Sequence, residues 1–230
     1  MIILISIVSS KTVCINLILF QIMYDILYKI SKLEYLEEIK RGSLYMKPIS
    51  WFRSLEDGGQ GDAKEGLYTE TARGVLYVRT KARKYSVCEL TNMKINAKLK
   101  SPIFCFSYAK KQNLNQLSLA DFVSQKLIEE FTNKEENYGI IIVKKKMFEH
   151  RLALAAKTLV DMSGYVWDKV TYSDAEDLYL NPVYRKRTKF AHQNEFRLLL
   201  PKVEKEKDEY YRLELGSLED FSCVLPISFN

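Results

Sequence analysis

The strongest constraint on the fold is an alternation of apolar and polar side chains that recurs in short segments over residues 24–229. Alternation with a period of two is typical of β-strands that bury one face. Residues 195–201 and 209–215 are also expected to pair with each other across a charged turn. The predicted strands are residues 24–30, 43–52, 74–80, 84–90, 93–98, 102–108, 138–143, 164–172, 195–201, 209–215 and 221–229.

Segments with helical spacing stand between these strands, so the predicted fold class is α+β. Ser31 and Glu34 form the S-x-x-E pattern of a capping box, and Gly42 is placed to end the helix that follows. Further helices are predicted over residues 118–131 and 145–161. Strands and helices come in mixed order. This order favours a mixed, largely antiparallel split sheet with three to four helices over a doubly wound nucleotide-binding fold.

The composition is that of a globular chain that folds as one domain. Of 230 residues, 47% are hydrophobic, 28% are charged and 12% are aromatic, which excludes disorder of the whole chain. The net charge of +6 is compatible with a phosphate-bearing partner without requiring one. The four cysteines form no C-x-x-C pair and lie apart from the two histidines. We therefore expect no metal site and a reducing, cytoplasmic location.

Residues 1–22 form an apolar leader with a single charge, Lys11. The middle of the leader is too polar for a clear membrane span, and the basic start and cleavage site of a signal peptide are missing. Three interpretations stay open: an extension from a misplaced start codon upstream of Met23, a membrane-associated segment, and a packed strand or helix. The single α+β domain is predicted over residues 23–230, and no firm membrane partner is expected.

An acidic, glycine-rich loop covers residues 56–66. Glu56, Asp57, Asp62 and Glu65 could hold a divalent metal there, although their spacing does not match the Ca²⁺ loop of an EF-hand. The loop is otherwise interpreted as a solvated acidic surface, or as a loop that Asp62 orders by bonding to its own backbone. The metal interpretation would make the protein a metal-dependent hydrolase.

A basic run covers residues 184–190, with Arg185, Lys186, Arg187 and Lys189. Such a cluster suits the phosphates of a dinucleotide or of a nucleic-acid backbone, and its alternative interpretation is a solvated run of charge. No P-loop, H-E-x-x-H or G-x-S-x-G pattern is present, so the sequence does not indicate a triphosphate cradle, a zinc protease or a serine hydrolase.

The strand after this run presents three polar side chains on one face. In extended backbone Gln193, Glu195 and Arg197 point to one side, whereas Phe196 and Leu198 point to the other side and the core. A carboxylate on a rigid strand near positive charge can stabilise a cation that develops on a substrate. The residues alone fit a salt bridge of Glu195 with Arg197 or with a neighbour equally well.

The stretch "HQNEFRLLLP", residues 192–201, resembles the Q/E-x-E strand of ADP-ribosyltransferases. In that superfamily the second acidic residue is followed by an apolar run that ends at proline. The resemblance implies that Glu195 is the catalytic residue, which holds the ribose of NAD beside nicotinamide and stabilises an oxocarbenium-like transition state. It also implies that Gln193 helps to orient the acceptor.

The order of the segments is similar to that of a widespread, uncharacterised family of bacterial domains found in phage and defence-associated genes. In that family a strand, a helix and a glycine precede an F-N-D-P-F-E-like loop, a C-F-S strand and an E-x-E-x-R strand. The similarity spans residues 24 to about 200. The matching segments are residues 27–31, 37–46, 51–66, 104–108 and 192–198.

Together the resemblances imply an ADP-ribosyltransferase-like fold with NAD as the substrate. Tyr28 and Lys29 stand where many of these enzymes carry a His or Arg on the first strand, and Ser107 stands for a central Ser-Thr-Ser. We expect these three residues to line the nicotinamide-ribose pocket. On the same resemblance, Arg185 and Arg187 would meet the pyrophosphate or an acceptor nucleic acid.

The leading hypothesis is an intracellular ADP-ribosyltransferase-like protein, of the phage-defence or toxin-effector type, with a nucleic-acid or protein acceptor. The alternative is a non-catalytic module on the same fold, which binds nucleic acid or a phosphate ligand through the basic run and exposed tyrosines. The metal-dependent hydrolase is the third. One geometric feature bears on the choice: Glu195 lies either in a concave pocket with Ser107 and the Tyr28 strand, or paired off at a flat surface.

Overall fold

Most of the alternating segments form strands in a computed structural model of the chain. The structure describes residues 5–6, 25–53, 55, 62, 67–79, 85–98, 100–109, 123–132, 137–174, 182–205 and 209–229. The strands in these ranges are β1 (Ile5–Ser6), β2 (Ile26–Lys32), β3 (Ser43–Pro48), β4 (Leu67–Arg79), β5 (Tyr85–Lys98), β6 (Pro102–Ala109), β7 (Tyr138–Lys144), β8 (Val166–Lys169), β9 (Thr171–Tyr172), β10 (Arg185–Lys186), β11 (Glu195–Leu199), β12 (Tyr211–Glu214), β13 (Ser222–Pro226) and β14 (Ser228–Phe229). The α-helices are α1 (Leu33–Lys40), α2 (Ile49–Phe52), α3 (Gln125–Thr132) and α4 (Lys145–Thr158).

Strand β6 lies inside an eight-stranded sheet and gives it a forked shape. On one edge β6 pairs with β11, which in turn pairs with β8. On its other edge β6 pairs first with β3 and then with β2. The branch of β3 continues into β12, whereas the branch of β2 continues into β7 and β13. All of these pairs are antiparallel, which confirms the predicted α+β class with a largely antiparallel, split sheet.

The fork leaves an opening beside the middle of β6. The ladder between β2 and β6 ends at the pair Tyr28 and Ser107, and the ladder between β3 and β6 ends at the pair Lys47 and Ile103. Residues 104–106 of β6 therefore border a gap between the two branches, where ligand and side-chain atoms can approach the strand edge.

One face of the sheet packs against α1 and α4 in the largest apolar cluster. Leu27, Phe106 and Leu198 of the sheet meet Leu36 of α1 and Phe148 of α4, and each is at most 1% exposed. The rings of Phe106 and Phe148 meet edge to face with centroids 5.2 Å apart. Full burial of one such side chain is worth about 1.5–3 kcal/mol, so this face anchors the two helices to the sheet.

The opposite face divides into two smaller apolar clusters. One cluster joins Tyr28 and Ile140 to Leu127 of α3. The other contains Ile103 and Leu199. Buried charged side chains of β10 and β11 contact one another on this face, so its apolar core is not continuous.

The predicted capping box of α1 is wrong. Ser31 lies inside β2, and Lys32 occupies the N-cap position without a side-chain hydrogen bond. The backbone N–H of Leu33 instead donates to the carbonyl of Asn137 at 2.9 Å, so a neighbouring segment satisfies the helix end. The predicted end of the helix at Gly42 is confirmed, because this residue has the left-handed φ of 94° that glycine adopts without strain.

The predicted pairing of residues 195–201 with 209–215 is also wrong. Strand β11 runs between β6 and β8, whereas β12 pairs with β3 on the other branch of the fork. Arg197, Leu198 and Leu199 are all buried, and a strand buried on both faces belongs inside a sheet. The strands predicted separately at 84–90 and 93–98 are the single strand β5, which pairs with β4.

Several predictions fall on residues outside the described ranges. Of the leader, only Ile5 and Ser6 are described, as β1 against β14. The acidic loop is described only at Asp62, and the helix predicted over 118–131 is described from its second half, as α3. Within the described part of the chain no helix is both long and apolar enough to cross a membrane.

Candidate functional site

The opening between the two branches leads into a cavity of about 830 Å³. Small-molecule sites in proteins have volumes of roughly 300–1,000 Å³, so the cavity is of the size that holds a nucleotide-type ligand. Residues of both branches and of α3 line it. The buried polar residues of its lining are Ser43, Lys186, Gln193, Glu195 and Arg197, and the half-buried Lys29 and Ser107 line it beside them.

Glu195 is the centre of a buried ion network in this lining. Its Oε1 accepts a hydrogen bond from Lys186 Nζ at 2.6 Å. Its Oε2 accepts two from Arg197, from Nε at 2.9 Å and from Nη2 at 2.7 Å. The side chains of Lys186 and Arg197 are 1% and 0% exposed, against 10% for Glu195. The carboxylate is therefore fixed at the cavity wall by two cations behind it.

The two cations keep this carboxylate ionised. Burial by itself would raise the pKa of Glu195, but the charges and hydrogen bonds of Lys186 and Arg197 outweigh burial and hold the pKa well below its ordinary value. The backbone of Glu195 is fixed as well, because its N–H donates to the hydroxyl of Tyr172 at 2.9 Å. The site thus presents an anionic group in a set orientation at neutral pH.

Gln193 joins the ion network to α3. Its Oε1 accepts from Lys186 Nζ at 2.8 Å, and its Nε2 donates to Glu130 at 3.5 Å. Glu130 in turn contacts His192 Nε2 at 2.6 Å. Gln193 ends the 3₁₀ segment Thr188–Gln193 instead of lying in the strand, yet its side chain reaches the same buried face as Glu195.

Three of the predicted residues lie side by side across adjacent strands. Ser107 of β6 is in register with Glu195 of β11 on one side and with Tyr28 of β2 on the other. Ser107 lines the cavity. Tyr28 lies behind it in the apolar cluster, 1% exposed, with its hydroxyl bonded to Ser107, and burial raises the pKa of Tyr28 to about 12. Tyr28 therefore supports the site from the core and stays protonated.

Lys29 crosses the opening of the fork. Its Nζ donates to the carbonyl of Cys105 at 3.0 Å and lies 5.0 Å from the ring centroid of Phe104. Burial lowers the pKa of Lys29. The amine thus bonds to the edge of β6 that neither β2 nor β3 covers, and Lys29 lines the cavity.

Arg185 and Arg187 lie outside the described lining of the cavity, away from the place predicted for them. Arg187 is held by Asp62, which accepts from its Nε at 2.8 Å and from its backbone N–H at 2.9 Å. Asp62 is 1% exposed, so it serves as a buried partner for Arg187. In the described part of the chain no group of three or more His, Cys, Asp or Glu could hold a metal, and most of the 56–66 loop lies outside it.

The residue that sequence reasoning missed is Lys186. Of the four cations in the basic run, the resemblance pointed to Arg185 and Arg187, whereas the fold turns Lys186 inward and places Arg187 against Asp62. Cys105 lies in the cavity wall next to the network. Burial raises the pKa of the Cys105 thiol to about 12, so this thiol is no nucleophile at neutral pH.

Comparisons with models of protein families, with curated proteins and with solved structures found no match to this chain. The interpretation of the site therefore depends on its own geometry and on the motifs in the sequence.

Proposed function

We propose that this protein is an ADP-ribosyltransferase-like enzyme that uses NAD, with Glu195 as its catalytic residue. The observation that carries the proposal is the position of Glu195 in a concave cavity, beside Ser107 and one strand away from Tyr28. A flat, fully surface-paired Glu195 would have argued against transfer chemistry.

In the proposed reaction the bond between C1′ of the ribose and the nicotinamide nitrogen breaks, and nicotinamide leaves with the electron pair. The ionised Glu195 stabilises the positive charge that develops on the ribose. A nucleophilic atom of the acceptor then forms the new bond to C1′ and releases its proton. Gln193 and Ser107 flank Glu195 and would orient the ribose and the acceptor through hydrogen bonds.

A second candidate function is a binding module without transfer chemistry, and the ion network favours it. Two cations meet one carboxylate, so Lys186, Arg197 and Glu195 together carry a net positive charge. A net positive charge weakens the stabilisation of a cation and favours an anionic ligand such as a phosphate. The two candidates share the cavity and differ in what Glu195 does there.

Release of nicotinamide from NAD tests the proposal, because every transfer or hydrolysis reaction at C1′ produces it. The protein is incubated with NAD and a cell extract as a source of acceptors. Glu195→Gln should lower the rate about 10²–10³-fold, the usual effect of removing one group that stabilises transition-state charge. Glu34→Gln is the matched control, because Glu34 lines the same cavity at an exposed position.

Equilibrium binding of NAD to the same variants separates the two candidates. The enzyme hypothesis predicts that Glu195→Gln binds NAD with near-normal affinity, while its rate of nicotinamide release falls about 10²–10³-fold. If neither the wild type nor the variant releases nicotinamide, while both bind a phosphate-bearing ligand, the transferase proposal is wrong and the binding module stands. Circular dichroism and the thermal midpoint check that each variant is folded.

A further inference from the structure

Exposed aromatic side chains lie together at the mouth of the cavity. Among the residues whose side-chain burial the structure describes, which excludes β4 and β5, the exposed large aromatic side chains are Tyr35, Tyr45 and Tyr210, at 50%, 46% and 51%, and all three line this cavity. Single exposed apolar side chains are ordinary on a protein surface, whereas a group of them at a cavity marks a binding surface. These tyrosines, with Trp51, form what we call the aromatic rim.

The rim is held in a fixed arrangement. The rings of Tyr45 and Tyr210 stack with centroids 4.4 Å apart and an interplanar angle of 25°. Tyr45 lies on β3, and Tyr210 directly precedes β12, which pairs with β3 in register. Tyr45 therefore belongs to the ladder between β3 and β12, and Tyr210 lies immediately beside that ladder, so the pairing of these strands brings the two rings together.

A cation lies against the same rings. The ammonium of Lys47 is 5.7 Å from the ring centroid of Tyr45, 5.6 Å from that of Trp51 and 6.0 Å from that of Tyr210. These distances lie within cation–π range, so Lys47 packs among the rings and keeps a positive charge beside their exposed surface. The rim thus offers flat aromatic surface together with one adjacent positive charge.

We propose that the aromatic rim is a subsite that stacks a purine base of a nucleotide, with Lys47 as the cation nearest to its phosphate. A nucleobase is planar and stacks on aromatic rings, and its phosphate supplies the negative charge that matches the lysine. The identity of the nucleotide rests on the proposed function: the base belongs either to the adenosine half of NAD or to a nucleic-acid acceptor.

AMP, adenosine and ribose 5-phosphate are the probes, because none of them contains nicotinamide and none can be turned over by transfer. Each is titrated into the full-length protein by calorimetry and by the fluorescence of Trp51, with Trp51→Phe to identify the signal. AMP should bind at least tenfold more tightly than ribose 5-phosphate. Equal affinities of these two, or no AMP binding at millimolar concentration, would overturn the proposal.

Paired substitutions test the rings and the charge separately. Tyr210→Ala and Tyr45→Ala should each weaken AMP binding about tenfold, whereas Tyr210→Phe and Tyr45→Phe keep the ring and should stay within twofold. Lys47→Gln should weaken AMP several-fold and leave adenosine unchanged. If the alanine variants bind AMP as the wild type does, no base stacks on the rim and the proposal fails.

The source of the base follows from two further titrations. NAD that binds more tightly than a single-stranded hexamer of deoxyadenylate identifies the dinucleotide, and the reverse order identifies a nucleic-acid acceptor, provided that Tyr210→Ala weakens the tighter ligand. The result is independent of catalysis. AMP binding that depends on the rim, without nicotinamide release, supports the base-stacking subsite and contradicts the transferase proposal. Nicotinamide release without AMP binding supports the transferase proposal and contradicts the base-stacking subsite.

Discussion

Glu195 is a buried carboxylate that lies between two buried cations, Lys186 and Arg197. Taking Glu195, Lys186 and Arg197 out of water is costly, and only their mutual contacts and hydrogen bonds offset that cost. Because the group contains one anion and two cations, its members are not equivalent. Removal of the anion leaves two cations facing each other, whereas removal of Lys186 leaves a neutral pair.

This asymmetry predicts different stabilities for two variants. Glu195→Gln should lower the free energy of unfolding by about 3–5 kcal/mol, since it leaves uncompensated buried charge. Lys186→Met should cost clearly less, because Arg197 still meets Glu195. Urea titration measures both. Glu214→Gln is the control: its exposed pair with Arg212, whose side chains are 62% and 55% exposed, should contribute less than about 1 kcal/mol. Equal losses from the first two variants would contradict this account.

The same network predicts how stability depends on pH. Burial raises the pKa of Glu195, yet Lys186 and Arg197 lower it further, to well below its ordinary value of 4.5. A lowered carboxyl pKa stabilises the folded state fully above the ordinary value, and the contribution is lost as pH falls below it. The difference in unfolding free energy between the wild type and Glu195→Gln should therefore be constant near neutral pH and shrink below about pH 4.5. Urea titrations at several pH values measure it, and a difference that grows in acid would contradict the prediction.

The sequence predicts part of this residue-level chemistry for a clear physical reason. Alternation along the strand places Glu195 and Arg197 on one face, and both lie there. It cannot show that this face is buried, because burial depends on α3, which is distant in sequence, and on the direction in which β10 turns Lys186. Lys186 could not be chosen from the basic run, since its inward direction follows from the pairing of β10 with β9.

At the scale of elements, the turn between α1 and β3 shows how tightly two distant segments approach. Gly42 has φ of 94°, and a Cβ on it would lie 1.9 Å from the carbonyl oxygen of Gly216. The carbonyl of Gly42 also accepts from the N–H of Leu215 at 2.8 Å. The absence of a side chain is thus required both by the backbone conformation and by the neighbouring chain.

Two glycine substitutions separate these requirements. Gly164 also has a positive φ, of 75°, but a Cβ there would meet nothing within 4 Å. Gly164→Ala should therefore lower the free energy of unfolding by about 1–2 kcal/mol, the cost of a left-handed residue with a Cβ. Gly42→Ala should cost more, because the backbone of Gly216 must also move. Chemical denaturation of both variants measures the difference, and equal losses would show that the close approach is relieved without cost.

Elements themselves were predictable here, and their partners were not. Alternation located β2 and β11, and the apolar run at 138–143 located β7 as a strand buried on both faces. Pairing is decided by contacts between segments far apart in sequence. A hairpin was expected between residues 195–201 and 209–215, but β11 pairs with β6 and β8 instead. The cap of α1 failed for the same reason, since Asn137 supplies the acceptor that Ser31 was expected to provide.

At the scale of the whole molecule, the fork explains why a cavity exists in a sheet that is otherwise well packed. One face carries a continuous apolar core under α1 and α4, whereas the other face divides into two clusters and carries buried charge. Buried charge and an unfilled cavity both reduce stability, and proteins keep such features where function needs them. The fork is thus the part of the molecule where substitutions should increase stability at the expense of binding.

Lys29 is the residue that tests this trade-off. Burial lowers the pKa of Lys29, so keeping the amine charged in the folded protein costs free energy. Lys29→Met keeps the length of the side chain without the charge, and it should raise the free energy of unfolding at pH 7 by about 1 kcal/mol. A lowered lysine pKa makes the wild type more stable as pH rises, so the gain should shrink towards pH 10.5, the ordinary value for lysine.

The control for this prediction is Lys146→Met, because Lys146 is exposed on α4 and its replacement should change stability by less than about 0.5 kcal/mol. Urea titration from pH 7 to pH 10 follows both variants, and calorimetry follows their binding of AMP and NAD.

A Lys29→Met protein that is more stable and binds either ligand more weakly would assign the amine to the binding site. If the variant is instead less stable at every pH, the bond from Lys29 to the Cys105 carbonyl contributes more than burial of the charge costs. Lys29 would then stabilise the fork, and the cavity would not reduce the stability of the fold.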